Sequence, residues 1–206
     1  MTNRHSVESP LPLPIIAIGG SAGAIKPVLD LLSDLPTDLR AIILVVIHRT
    51  PGLPSLLPDI IARRSPVATH LARDGIDLKD PICLVAPPDR HMAVTPHGKI
   101  HLVADGYYRG NSIDLLFNSL ARSVGPRTIG VIVSGLLKDG AEGLRAIREA
   151  GGLALVQSPA EAQYADMPEN AINADGPVDF IGPVSALAKE IRRRVEAVSG
   201  AMELSE

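Results

Sequence analysis

The stretch Pro14-Ile15-Ile16-Ala17-Ile18-Gly19-Gly20-Ser21-Ala22-Gly23-Ala24 decides how the chain is read. A short apolar run meets Gly19-Gly20-Ser21-Ala22-Gly23, a match to G-x-S-x-G. That pattern sets a serine on a sharp turn between a strand and a helix. The turn brings backbone against backbone and leaves no room for Cβ atoms, hence the glycines. The hydroxyl then stands above the end of the sheet, where a substrate carbonyl can reach it. The competing reading is an anion site at a helix N-terminus. However, the spacing fails G-x-G-x-x-G, and the chain has no G-x-x-x-x-G-K-[ST] loop.

Outward from this turn, short apolar runs alternate with amphipathic stretches. Ile15 to Ile18, Ala41 to Ile47, Pro81 to Ala86, Thr128 to Val133 and Leu153 to Gln157 read as strands. Between and after them, Pro27 to Leu35, Leu53 to Arg63, Ser112 to Val124, Ala141 to Ala150 and Pro183 to Val198 read as helices. Val28, Leu31, Leu32 and Leu35 share one helical face, as do Ile113, Leu116, Phe117 and Leu120. The period changes once, where His91 to Thr95 and Lys99 to Val103 flank Pro96-His97-Gly98 as a hairpin. The expected fold is α/β: a doubly wound, mostly parallel, three-layer sheet, with the hairpin as an insertion or antiparallel edge.

Composition agrees. The chain has 206 residues, 46% hydrophobic but only 2% aromatic, so its core is built from Ile, Val, Leu and Ala. Such runs suit buried parallel strands. One domain is expected over residues 14–198, between an extended tail at 1–13 and a frayed one at 199–206. A net charge of -3 excludes the basic excess that nucleic-acid binding needs. The N-terminus lacks a signal-peptide h-region, and no apolar run approaches the roughly 20 residues that span a bilayer. A single cysteine, Cys83, lies in an apolar strand, which suits packing in a reducing compartment. The expectation is therefore a cytoplasmic protein without membrane insertion.

Ligands of open α/β sheets bind beyond the carboxyl ends of the strands. The first apolar run closes on Ser21, the second on His48-Arg49, and the run from Thr128 on Ser134-Gly135-Leu136-Leu137-Lys138-Asp139. Ser21, His48 and Asp139 therefore fall on one edge. A serine needs a base, an imidazole supplies one near neutral pH, and an aspartate fixes its tautomer. Amides beside the serine, such as that of Ala22, are candidate oxyanion donors. The order Ser, His, Asp differs from the Ser, Asp, His of α/β-hydrolases, so this would be a separate convergent triad. Asp139 alone also reads as a cap for the helix that follows it. His91 follows a strand end and is a candidate cleft residue, whereas His5, His70, His97 and His101 read as tail, loop or hairpin residues. No Cys/His cluster has zinc spacing, so neither metal nor cofactor is expected.

These segments together resemble the catalytic domain of the chemotaxis protein-glutamate methylesterase family, CheB. Ile18-Gly19-Gly20-Ser21-Ala22-Gly23 matches its glycine-serine turn, and Val45-Val46-Ile47-His48 its histidine strand. Gly130 to Ala141 matches its aspartate loop. Val85 to Met92, Asn111 to Phe117 and Ala165 to Ile172 resemble three further segments, so the resemblance spans Pro14 to Arg194. It implies hydrolysis of glutamate γ-methyl esters on methylated chemoreceptor-like proteins through Ser21, with glutamine deamidation as a second activity. It also implies a backbone oxyanion donor at Leu136, and Arg49 and Met167 along the substrate groove. The alternative is a serine esterase of the same fold acting on another protein or a small ester.

Three departures shape the expectations. The residues before Pro14 are too few for a domain, so the family's receiver domain is not expected here. Constitutive activity, a separate regulatory protein or service to a different receptor-like system is expected in its place. The family's glycine-methionine-glycine is Gly135-Leu136-Leu137 here, so Leu137 is expected to restrict the loop and reshape the oxyanion site. Asn111 replaces a proline, leaving Ser112 as the expected N-cap, with Asp114 in the first helical turn.

Overall fold

A computed structural model of the chain describes residues 13–50, 56–104, 110–174 and 176–203. Residues 1–12 of the expected tail, the start of the predicted second helix at 53–55 and residues 204–206 lie outside them. In chain order the elements are β1 (Ile15–Gly20), α1 (Ile25–Ser33), β2 (Ile42–Ile47), α2 (Leu57–Ala62), β3 (Thr69–Leu71) and β4 (Ile82–Val85). There follow β5 (Arg90–Val94), β6 (Ile100–Ala104), α3 (Ser112–Ser123), β7 (Thr128–Ile132) and α4 (Ala141–Glu149). The last are β8 (Leu153–Gln157), α5 (Asp166–Asn173), β9 (Phe180–Gly182) and α6 (Val184–Glu203).

β1 is continuously buried because it lies at the centre of a seven-stranded sheet of order β3-β4-β2-β1-β7-β8-β9. Every pairing in it is parallel. Alternation along β1 sends Ile15 and Ala17 into one core, with Phe117, Leu144 and Met167, and Ile16 and Ile18 into the other, with Leu31, Leu187 and Ile191. Thus α3, α4 and α5 cover one face of the sheet, and α1, α2 and α6 the other. No helix among the described residues is long and apolar enough to cross a membrane.

The hairpin forms, but not as an edge of the main sheet. β5 and β6 make a separate two-stranded sheet. It is clamped to α3, where the Ser119 hydroxyl accepts the Val94 N–H at 2.9 Å and Ser123 donates to the Val94 carbonyl at 3.1 Å. Three elements are absent from the sequence reading: α5, and the three-residue strands β3 and β9 on the two outer edges. His70, expected in a loop, lies on β3. Such short edges offer little backbone for pairing with another chain. The last helix runs to Glu203 rather than ending at Val198.

Candidate functional site

The central strands place the site by register. Gly20 pairs with Ile47, and the His48 N–H continues the ladder to the Gly20 carbonyl at 3.1 Å. Ser21 and His48 are therefore neighbours just past the ends of β1 and β2. β7 lies on the other side of β1, and the Ser21 N–H donates to the Ser134 carbonyl at 3.1 Å. The Ser21 turn must be narrow here. A Cβ on Gly20 would lie 2.5 Å from the Ala24 Cβ and 2.8 Å from Val133 Cγ2.

His48 Nε2 lies 2.7 Å from Asp139 Oδ2. The aspartate is 2% exposed and accepts two backbone donors as well, Ile113 N–H on Oδ2 and Asp114 N–H on Oδ1, both at 2.9 Å. A carboxylate accepts only, so His48 carries its proton on Nε2 and keeps its Nδ1 lone pair for a second partner. The amides that hold Asp139 belong to the first turn of α3. Asp139 therefore does cap a helix, but α3 rather than α4, which follows it. Residue Asn111, not Ser112, occupies the N-cap position of α3, and its side chain makes no capping bond. Asp139 takes over that function from another loop.

Asp114 returns the arrangement. Its Oδ1 accepts the Gly143 N–H of α4 at 2.7 Å, and the N-cap of α4 is Gly140, which has no side chain to do so. Burial first, and then the nearby Asp139 and Glu142 charges, push the Asp114 carboxyl up to about 6 against its backbone donors. A pKa raised in the folded state stabilises the fold below the unfolded value and loses that contribution as pH rises through about 6. Asp114→Asn keeps the acceptor and removes the charge. Its melting temperature should therefore gain on wild type by a few degrees as pH rises from 5 to 7.5, followed by calorimetry.

The loop after β7 is pinned from beneath. The Ser134 hydroxyl donates to the Ala22 carbonyl at 2.9 Å and accepts the Tyr164 N–H at 3.0 Å. The Ser134 N–H donates to Gln157 Oε1 at 2.9 Å, and Gln157 Nε2 donates to Glu161 Oε2 at 2.9 Å. The sequence reading passed over Ser134 and Gln157. The strand-end rule that selected His48 would have selected Gln157, which closes β8.

The remaining candidates divide. His91 is buried, and with His48, Arg49, Pro88 and Arg90 it lines a cleft of about 270 Å³. Arg49 donates to the carbonyls of Ile47 and Ala86, and burial lowers its pKa. Met167, expected along the groove, is 1% exposed and belongs to the core. It lies under the loop: a Cβ on Gly135 would be 2.8 Å from its sulfur, and its N–H donates to the Gly135 carbonyl at 2.9 Å. Among the described residues, neither the Ala22 nor the Leu136 N–H has a backbone or side-chain acceptor. Leu137 adopts the left-handed conformation (φ 67°) that a glycine takes readily. For an L-residue that conformation costs about 1–2 kcal/mol. Cys83 is buried, and burial pushes its thiol up to about 11, so it is a packing residue rather than a nucleophile.

Fold and site together define a three-layer α/β protein that presents a serine, a histidine and an aspartate at neighbouring strand ends. Residues 16–191 match the model of the CheB methylesterase family, and the chain belongs to that family. It is 34% identical over 193 residues to the protein-glutamate methylesterase/protein-glutamine glutaminase of Moorella thermoacetica, covering 91% of this chain and 45% of that protein. The Escherichia coli K12 protein of the same name is 31% identical, with 89% and 53% covered. Protein-glutamate methylesterase FrzG of Myxococcus xanthus is 33% identical, with 82% and 51% covered. The chain thus spans about half the length of these relatives. The crystal structure of the Thermotoga maritima CheB methylesterase catalytic domain matches with a TM-score of 0.79 at 25% identity, covering 88% of this chain and 98% of that one.

Proposed function

We propose that this chain hydrolyses glutamate γ-methyl esters on methylated chemoreceptor-like proteins, and deamidates receptor glutamines by the same chemistry. The observation that carries the reading is the 2.7 Å contact between His48 Nε2 and a buried, amide-held Asp139, on the strand end beside Ser21. Ser21 Oγ gives its proton to His48 Nδ1 and attacks the ester carbonyl. The amides of Ala22 and Leu136 receive the oxyanion. His48 returns the proton to departing methanol, or to ammonia from an amide. Water, deprotonated by His48, then releases the glutamate and restores Ser21. Arg49 and His91 line the side of the groove next to His48.

Residues 14–198 form the catalytic unit in this reading. A single buried cysteine suits the cytoplasm, where the chain would meet receptor signalling segments. The test is release of volatile methanol from receptor-rich membranes carrying radiolabelled methyl groups, together with mass-spectrometric mapping of a serine-directed phosphonate. Methanol release with the label on Ser21 is the expected result. A label on another serine, or no release from methylated receptors by a protein that takes the label, would refute the reading.

A further inference from the structure

Leu137 combines two unfavourable features, and nothing in the fold offsets them. It is the one non-glycine among the described residues with a positive φ. Its side chain is also 75% exposed, so folding recovers little apolar area from it. The backbone there is firmly held, not left to choose its conformation. Asn170 Nδ2 donates to the Leu137 carbonyl at 3.0 Å, the Gly135 N–H donates to the Tyr164 carbonyl at 3.0 Å, and the Ala141 N–H donates to the Lys138 carbonyl at 3.2 Å. Glycine would adopt the same backbone without the steric penalty. Strain of this kind persists where it serves a site. Whatever the leucine side chain contributes must therefore be made to something outside the chain.

Its surroundings indicate what that is. Leu136 (43% exposed) adjoins it in the loop, and Tyr164 (38%) lies on the segment whose carbonyl accepts the Gly135 N–H, so exposed apolar side chains gather on this loop and its support. On the other side of the site, the cleft beside His48 has Arg49, Arg90 and His91 in its lining and no carboxylate among its described lining residues. Apolar surface on one flank and positive charge on the other complement a segment that is apolar along one face and acidic along the other.

We propose that Leu137 is a substrate-contacting specificity residue, and that the exposed Leu136–Leu137 loop docks the apolar face of an acidic, amphipathic segment bearing the ester. This rests on the methylesterase reading and names how that site selects a protein over a small ester.

Two variants test it. Leu137→Gly removes both strain and side chain. Leu137→Asn keeps a residue that tolerates the left-handed conformation but removes the apolar contact. For each, kcat/KM is measured on methylated receptor membranes and on p-nitrophenyl acetate. The ratio of receptor to small ester should fall about 10-fold or more in both variants, with the loss in KM for the receptor. The Leu137→Gly protein should meanwhile melt about 2–4 °C above wild type. A ratio within about twofold of wild type, or a lowered melting temperature for Leu137→Gly, overturns the proposal while leaving the methylesterase reading intact. A wild-type protein that cleaves p-nitrophenyl acetate through Ser21 but no receptor ester overturns both.

Discussion

Ser21→Ala and His48→Ala should each lower methanol release by roughly 10³ to 10⁶, and the double variant should be little worse than either alone. The non-additivity is the informative part. Oγ attacks only as its proton leaves, and the proton leaves only to His48 Nδ1, so removing either partner disables the same step. Neither change should unfold the protein. Ser21 is held through its backbone N–H, which alanine retains. His48 is likewise fixed by its N–H to the Gly20 carbonyl, and its ring is 28% exposed. Steady-state turnover on methylated receptors, alongside melting temperatures of all three variants, checks this. Multiplying losses in the double variant would mean that Ser21 and His48 act in separate steps, and the assignment of His48 as the base for Ser21 would fail.

The same residues show how far the sequence could be read. β1, β2 and β7 were legible because buried parallel strands need apolar side chains on both faces, so Ile15–Ile18, Ile42–Ile47 and Thr128–Ile132 stand out as unbroken runs. β3 and β9 were not. Three residues at a half-exposed edge carry too few side chains for any pattern, and α5 is an eight-residue helix with Pro168 inside its first turn. Ser21, His48 and Asp139 emerged from one rule about strand ends, because the sheet's parallel register sends those ends to a common edge. The pairing of Asp139 with His48 emerged too, but its bonds to α3 did not, since the amides it holds lie 25 and 26 residues upstream. Met167 was placed in the groove by resemblance. Its burial follows from the approach of α5 to Gly135, a tertiary contact without a local signal. The left-handed turn at Leu137 is likewise set by the bonds that grip the loop and by no preference of leucine, and this is why it reads as function.

Asp139→Ala should lose turnover by about 10⁴ and also stability, by about 2–4 kcal/mol. The stability loss separates Asp139 from Ser21 and His48. Among the described residues its carboxylate is the only side-chain acceptor for the Ile113 and Asp114 amides, and alanine leaves both donors of α3 unmet. A negative charge is lost from the positive end of a 12-residue helix at the same time. Asp139→Asn divides the two effects. Its carbonyl oxygen can stay on the Asp114 amide, recovering part of the cap. Its NH₂ then replaces Oδ2, where both His48 Nε2 and the Ile113 amide donate. Donor facing donor forces His48 to give up the proton on Nε2 and carry it on Nδ1, the nitrogen that must accept the serine proton. Asp139→Asn should therefore melt above Asp139→Ala, yet turn over as poorly. Melting curves and methanol release measured on the two variants side by side decide it. If Asp139→Asn regained activity along with stability, the aspartate would serve the helix alone, and its hydrogen bond to His48 would be incidental to turnover.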